Sequence, residues 1–509
     1  MTMRTVWLKL AFSVVLAVTP CTRAQAQAGF DNDRVMLQGF YWESCRHGNP
    51  GRFPQFGDKK WYVIVGENAE MIRQARFDLI WLPPPCYSAD EKRGDLSAGY
   101  APKQYFKLDN SYGSFAQHRT MLEALLQRGI EPVADIVINH RGGNTGWVDF
   151  KNPDWGLWAI CADDEAFSKP EFAGIPMSQR GAPEERPIPY GVPGNTDYAY
   201  PAYRDLDHTN PQVRRDIIRY LLMLKSFGYR GWRHDMVHGY HARWVALYNK
   251  RSNPTFSVGE YDWAKHAESR GWVWWTATTP NDLRTASSVF DFSTRGTLKN
   301  NKSNYAIWTG FGNGLGMVGD TADGQPWKQR AVTFLENHDT GYRTREDGSF
   351  EDQHQFDSFA NTWEVEQAYA YILTHPGVPC VFWKHYIDWG NELRYKIRAL
   401  INARKIAGVK SGSALSPQDN ARQKGVYAAM VAGLKGDLYV RIGGSDADWQ
   451  PSYSNYKDYR EYAYSAGSKV WVKLPSNPDL RQAPLKSPIP VPQFQPADQI
   501  NIPAEWANP

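Results

Sequence analysis

Two kinds of segment alternate along the chain. Short apolar runs read as strands covered on both faces, and between them apolar positions recur at helical spacing. Val35-Met36-Leu37-Gln38-Gly39-Phe40 is a first strand, and Asp78-Leu79-Ile80-Trp81-Leu82 is a second, stopped by Pro83-Pro84-Pro85. Residues 132–138 form a third, ending in Asn139-His140. A fourth lies in Gly228-Tyr229-Arg230-Gly231-Trp232-Arg233-His234-Asp235-Met236-Val237-His238-Gly239. Residues 256–260, 288–292, 331–335 and 379–383 supply four more. Helices are expected over 67–76, over 115–127 with Gly129 as the stop, and from Pro211, where Asn210 is the cap and Val213, Ile217, Leu221 and Leu224 share a face. Eight strands alternating with helices predict an α/β fold, a closed (β/α)8 TIM barrel.

The pattern fails in three places. Residues 141–206 are rich in Gly, Pro, Asp and Trp without a steady period, which predicts a small subdomain inserted after the third strand and leaves 29–140 and 207–407 to the barrel. Over 408–475, short strands at 426–431, 437–442 and 469–473 separated by Gly-rich turns predict a C-terminal antiparallel β domain. Residues 476–509 are Pro-rich and aperiodic and read as an extended tail. At the other end, Arg4 and Lys9 precede the apolar stretch 10–18 and the small-x-small sites Ala24-Gln25-Ala26 and Ala26-Gln27-Ala28. That is a signal peptide over 1–28, and it predicts a secreted or periplasmic protein.

Charge narrows the partners. Removing 1–28 takes away Arg4, Lys9 and Arg23 and no acid, so the net charge falls from +4 to +1. Nothing in that balance favours nucleic acid or an anionic membrane. The aromatic content of 14% fits either a large core or sugar binding, since flat rings pack on the apolar faces of pyranoses. Of five cysteines, Cys21 leaves with the signal, a bridge among Cys45, Cys86 and Cys161 is expected in an exported chain, and Cys380 is expected as a buried free thiol.

The chemistry lies at the strand ends. Four of them carry polar clusters: Asp135-Ile136-Val137-Ile138-Asn139-His140, Gly231-Trp232-Arg233-His234-Asp235, Val258-Gly259-Glu260, and Phe334-Leu335-Glu336-Asn337-His338-Asp339. A barrel gathers the C-terminal ends of its strands over one mouth. There Asp235, Glu260 and Asp339 would raise one another's pKa, and a protonated acid beside an ionised one is what cleavage of a glycosidic bond needs. Arg233, two residues from Asp235, is expected to keep that carboxylate ionised.

These four segments, in this order, resemble the signature regions of the α-amylase family of glycoside hydrolases. The similarity runs from residue 35 to about 475 and is closest to plant α-amylases and bacterial maltooligosaccharide-forming amylases. Leu37-Gln38-Gly39-Phe40-Tyr41-Trp42-Glu43-Ser44, Trp81-Leu82-Pro83-Pro84-Pro85 and Asn337-His338-Asp339-Thr340-Gly341-Tyr342 carry it as well. The resemblance implies Asp235 as nucleophile, Glu260 as general acid then base, and Asp339 as a ligand of sugar hydroxyls. It implies His140 and His338 as donors to the sugar, Tyr100 as the ring stacked under it, and retention by double displacement. It also implies Ca2+, held by the side chains of Asn139, Asn195 and Asp205 and the carbonyls of Tyr198 and Gly239. Plant relatives have Asp where this chain has Asn195, which weakens the charge of that site.

Two departures stand out. His238 occupies a position that is Lys or Arg in relatives and contacts sugar beyond the cleavage point. His234 replaces an apolar residue and is expected to be packed and neutral. The loop 44–60 and Trp272, Trp274 and Trp275 either line further sugar subsites or cover the barrel. The expected partner is an α-glucan, bound by a monomer that hydrolyses α-1,4 bonds. The rivals are a maltooligosaccharide-forming exo-amylase, a transglycosylase on the same fold, and a non-catalytic glucan-binding protein.

Overall fold

The computed structural model describes residues 31–51, 53–88, 96–144, 148–189, 203–262, 264–310, 312–344, 350–351, 358–452, 459–465, 467–475 and 481–509. The barrel strands are β1 (Met36–Gln38), β2 (Leu79–Leu82), β3 (Glu131–Ile136), β4 (Gly231–His234), β5 (Phe256–Gly259), β6 (Ser288–Phe290), β7 (Ala331–Phe334) and β8 (Val378–Phe382). Each pairs in parallel with its neighbours in sequence, and β1 closes on β8 through Met36↔Cys380. This is the (β/α)8 barrel the alternation predicts. Parallel strands covered by helices bury both faces, which is why these segments are near-continuous apolar runs.

The helix Pro211–Phe227 shows how local sequence sets an element. The Asn210 side chain accepts from the Gln212 N–H at 2.9 Å, Pro211 fills the first turn, and Gly228 (φ 130°) ends it. The predicted helix over 67–76 is two, Trp61–Glu67 and Ala69–Gln74.

After β3 the chain leaves the barrel and returns beside its exit point, where His140↔Asp205 and Arg141↔Arg204 form a short antiparallel ladder. Arg141 is fully buried at the root of this excursion. Its guanidinium lies 4.5–4.9 Å from the ring centres of Tyr105, Phe150 and Trp155 and donates to the carbonyls of Lys103, Lys151 and Pro153. A buried cation is tolerated here because π faces and backbone oxygens replace its water.

The C-terminal sheet has five strands: β9 (Leu415–Pro417), β10 (Tyr427–Val431), β11 (Leu438–Ile442), β12 (Tyr459–Ser465) and β13 (Ser468–Lys473), in the order β9-β10-β11-β13-β12. The apolar pattern reveals β10, β11 and β13. It misses β9, which contains Pro417, and β12, whose Tyr, Arg and Glu do not form an apolar run.

One expectation needs correction. Cys45, Cys86 and Cys161 form no bridge; they and Cys380 are free and buried. Each sits among different neighbours: Cys45 donates to the Trp42 carbonyl, Cys86 lies by Tyr105 and Tyr220, and Cys161 lies by Asp205. The tail is extended over 481–509, and it is also tied down. It runs as a strap across the outer helices, tied by arginines donating to its carbonyls: Arg76 to Ala483 (2.8 Å), Arg230 to Pro490 (2.6 Å), Arg119 to Pro492 (2.7 Å), Arg219 to Ile500 (3.1 Å), Arg251 to Trp506 (2.9 Å) and Arg214 to Ala507 (2.5 Å). Phe494 packs edge-on against Phe115 and Phe227. Gly129 is needed twice: it holds φ 73° at the helix end, and a Cβ there would lie 2.5 Å from the Ser487 carbonyl oxygen. Gly129→Ala is therefore expected to lower the melting temperature by several degrees, and deletion of 481–509 by more. An unchanged melting temperature in the deletion would show that the strap adds nothing to stability.

Candidate active site

The C-terminal ends of β3, β4, β5 and β7 bring their polar residues together. Register sets this up, with Asp135 opposite Arg233 and His234 opposite Gly259, one residue before Glu260. Arg233 is fully buried and is the hub. One terminal nitrogen lies 2.7 Å from Asp135 Oδ1 and 2.5 Å from Asp235 Oδ1, and the other lies 2.6 Å from Glu260 Oε1. Asp235 and Glu260 thus sit on the two nitrogens of one guanidinium. The turn after β4 is fixed to β5: Met236 adopts a left-handed conformation (φ 48°), and the Val237 N–H donates to the Glu260 carbonyl at 3.0 Å. A non-glycine residue there is strained backbone, held by the bonds around it.

Asp135 is a site residue that sequence reasoning passed over, although it opens the quoted strand-end segment. It is fully buried and also accepts from Trp81 Nε1 (3.0 Å) and the Tyr100 hydroxyl (2.8 Å). It therefore fixes both Arg233 and Tyr100. The missed signal was register, which the sequence does not show.

Tyr100 sits parallel to His338 with ring centres 5.0 Å apart, and parallel to Trp42 at 6.0 Å. Arg343 lies 4.0 Å from the Trp42 ring centre. Gly99 (φ 96°) lets the chain reach this position, since a Cβ would lie 2.9 Å from Pro84.

The two histidines have partners within the protein. His338 Nδ1 faces Gln38 Nε2 at 3.0 Å, and its Nε2 faces Asp339 Oδ2 at 3.1 Å. His140 Nε2 lies 2.8 Å from the Tyr100 carbonyl oxygen, and burial holds its pKa down at about 4, so it donates there as a neutral ring. Both rings commit their nitrogens to the protein, positioning Asp339 and Tyr100. His238 Nδ1 lies 2.7 Å from Asp262 Oδ1, a carboxylate that in turn pushes up Glu260 and Asp339. His234 is packed and neutral as expected, its Nε2 3.3 Å from Asn249 Oδ1 and its pKa lowered by burial to about 4.

Burial dominates the acids. Asp235, Glu260 and Asp339 are each pushed up to about 7, first by loss of water and then by one another, with Arg233 pulling the other way. Arg233 favours the ionised form of Asp235 as expected in direction, but its guanidinium is shared with Asp135 and Glu260, so its pull on each is divided.

Asn139, Asp205 and Gly239 also converge. Asn139 Nδ2 donates to Asp205 Oδ1 at 3.2 Å, its Oδ1 is buried without a partner, and a Cβ on Gly239 would collide with that oxygen. Asp205 is raised to about 9 by burial and by Glu184, Asp164 and Glu165. Ligand oxygens of Asp164, Glu165 and Asp205 lie within 4.8 Å of one another, a group able to hold a metal ion, though Arg204 already pairs with Asp164 and Glu165. Asn195 and Tyr198 lie outside the described residues.

Trp272 belongs to the core, its ring against Gly259. Trp274 and Trp275 line an open cleft of about 360 Å³ with Arg270 and Trp327. In the loop 44–60, His47 is buried against Phe53 and Tyr41, so this part covers the barrel.

Residues 65–187 match the family model for the α-amylase catalytic domain. Probable alpha-amylase 2 of Arabidopsis thaliana is 30% identical over 436 residues, which are 83% of this chain and 90% of that protein. The chain belongs to the α-amylase family of glycoside hydrolases. Within that family, the Glucan 1,4-alpha-maltotetraohydrolase of Stutzerimonas stutzeri is 29% identical over 82% of this chain and 68% of its own length. The crystal structure of the α-amylase of Geobacillus thermoleovorans complexed with acarbose shares the fold, with a TM-score of 0.58 at 13% identity over 87% of this chain and 99% of that one.

An α-amylase-family site with these raised acids carries a sign that can be checked. Each acid binds its proton more tightly folded than unfolded, so its contribution to stability is present below about pH 4 and lost as pH rises through about 7. Glu260→Gln removes one such contribution. Its melting temperature relative to the wild type is expected to rise between pH 5 and pH 8; a difference independent of pH would contradict the raised pKa.

Proposed function

We propose that this chain is an exported α-amylase that hydrolyses α-1,4-glucosidic bonds of starch-like glucans with retention. The observation that carries this reading is the pair Asp235 and Glu260 on one buried Arg233, with Asp339 coupled to both. Retaining glycosidases hold nucleophile and acid about 5–5.5 Å apart, a spacing that two carboxylates on one guanidinium suit. Support for the substrate comes from relatives named for α-amylase and maltotetraohydrolase activity and from the acarbose complex of the Geobacillus thermoleovorans enzyme.

Glu260 holds the proton and gives it to the glycosidic oxygen as the bond to C1 breaks. Asp235, nearest the guanidinium at 2.5 Å, is ionised and attacks C1, forming a covalent glycosyl-enzyme. Glu260, now ionised, takes a proton from water, which attacks C1 and frees Asp235; two inversions give retention. Asp339 binds sugar hydroxyls as positive charge develops at C1, and Tyr100 lies under that sugar. His238 and Asp262 face the sugar beyond the cleavage point.

Calcium fits beside Asn139. An orphaned amide oxygen, a carboxylate crowded by other acids and a backbone with no room for a side chain are what a hard cation between them would resolve. Asn139, Asp205 and the Gly239 carbonyl would hold it, with Asn195 and Tyr198 as further ligands. It would supply structure, tying the excursion after β3 to the barrel. Chelation is expected to lower the melting temperature and added calcium to restore it; a melting temperature indifferent to both would leave the site without a metal.

The deciding assay is a time course on soluble starch with products resolved by length and anomer. α-Anomeric products support the proposal, mixed lengths marking endo attack and one dominant length the exo-acting form. Dominant transfer products on adding an acceptor sugar would mean a transglycosylase. Starch binding without release of reducing sugar would mean a binding protein. Glu260→Gln is expected to cut kcat by roughly 10²–10⁴-fold with little change in binding, and near-normal turnover would remove Glu260 from its role.

A further inference from the structure

The end of the barrel opposite the acids carries a second cluster of charge. A cavity of about 200 Å³ opens below the N-terminal end of β2, lined by Asp33, Arg73, Arg76, Phe77, Asp78, Arg128, Lys405, Lys435 and strap residues 483–486, which include Lys486. Six of these side chains are cationic and two are acidic. The cations come from five separate elements: the end of the helix Ala69–Gln74, the end of the helix Phe115–Leu126, the helix Asn391–Ala407, the turn between β10 and β11, and the strap. They are not a solvated face of one helix.

The two acids are already engaged. Asp78 is buried, accepts from the Val35 N–H at 2.8 Å, and pairs with Lys405 at 2.7 Å and Lys486 at 3.2 Å; Asp33 lies 3.3 Å from Lys405. Glu70, behind the lining, pairs with Arg128 at 3.1 Å and lies 3.8 Å from Arg73. Arg76 has no carboxylate partner among the described residues. It is buried and donates to the carbonyls of Ala483 and Gln74 and to the Gln482 side chain. The Arg73 Nε is buried without an acceptor, and Lys435 has no counter-ion among the described residues. Positive charge is thus gathered in a recess with fewer acids than cations, with the buried Arg76 and Lys405 at its base and exposed Lys435 and Lys486 at its rim. A small multivalent oxyanion offers several acceptors to guanidinium forks and ammonium groups together. The recess is smaller than the usual 300–1,000 Å³ of organic-ligand pockets, which suits a single anionic group better than an oligosaccharide.

We propose that this recess is a phosphate-binding site, for free phosphate or the phosphate of a sugar monoester, and that its occupant fastens the strap to the first α/β units of the barrel. The bridging follows from the lining: Lys486 comes from the strap, Arg73 and Arg76 from the helix before β2, and Arg128 from the helix before β3. An anion touching all of them ties the C-terminal segment to the barrel bottom, far from the catalytic mouth.

The test uses the full chain. Binding of inorganic phosphate and of glucose 6-phosphate is measured by calorimetry, and the melting temperature is followed with each against sodium chloride at equal ionic strength. Saturable binding at one site, with a melting temperature rising with phosphate and not with chloride, is expected. Glucose 6-phosphate binding as tightly as phosphate marks a monoester site, and weaker binding marks a site for the free anion. Lys486→Gln and Lys435→Gln, exposed enough to leave the fold intact, are each expected to weaken phosphate binding about tenfold, a typical cost for one charge-assisted contact, with starch hydrolysis unchanged. Arg76→Gln should abolish binding. No saturable binding, or an equal rise in melting temperature in wild type and Lys486→Gln, would overturn the proposal and reduce the effect to nonspecific salt.

Discussion

The site depends on one buried guanidinium. Arg233 lies beneath Asp135, Asp235 and Glu260 with no exposure to water. Carboxylates gathered in a barrel mouth repel one another and lose solvation, and both effects push them toward the neutral form. A cation shared among them keeps part of the set ionised while leaving room for a proton. That is the condition double displacement needs, one carboxylate charged to attack and one protonated to donate. The parallel register creates it by setting Asp135 opposite Arg233 and delivering Glu260 from the next strand.

The second tier of the site holds the first in place. Asp135 fixes Arg233 and Tyr100, His140 holds the Tyr100 backbone, and His338 bridges Gln38 and Asp339. Buried histidines kept neutral by loss of water serve as fixed hydrogen-bonding struts. The mouth is thus preorganised by groups anchored in the barrel wall, and precise placement of acids is what makes them effective.

The barrel separates its tasks by end, as the fold generally allows. Acids and aromatic rings face the C-terminal ends of the strands. At the N-terminal ends, arginines from the outer helices and from the turn before β4 grip the carbonyls of 481–509, and lysines close over Asp78. Proline suits this strap: it forms no helix or sheet of its own, and its carbonyl remains available as an acceptor.

Strand positions, the interruption after β3 and the acids at the strand ends were legible in the chain, because apolar runs, loss of period and the residues ending each run are local properties. The strand ends point to Asp235, Glu260, Asp339 and Arg233, the family resemblance adds Tyr100, and the structure brings the five together. Asp135 escaped because its importance comes from pairing across strands. The resemblance assigns the histidines to sugar, and it does not show which of their atoms a neighbour in the fold also engages. The expected disulfide failed because spacing along the chain says nothing of separation in space. The tail reads as extended, and its anchoring is invisible in the chain because it comes from arginines more than two hundred residues away. Local periodicity determined the elements; register, burial and long-range hydrogen bonds, which exist only once the barrel closes, decided how its charged groups work.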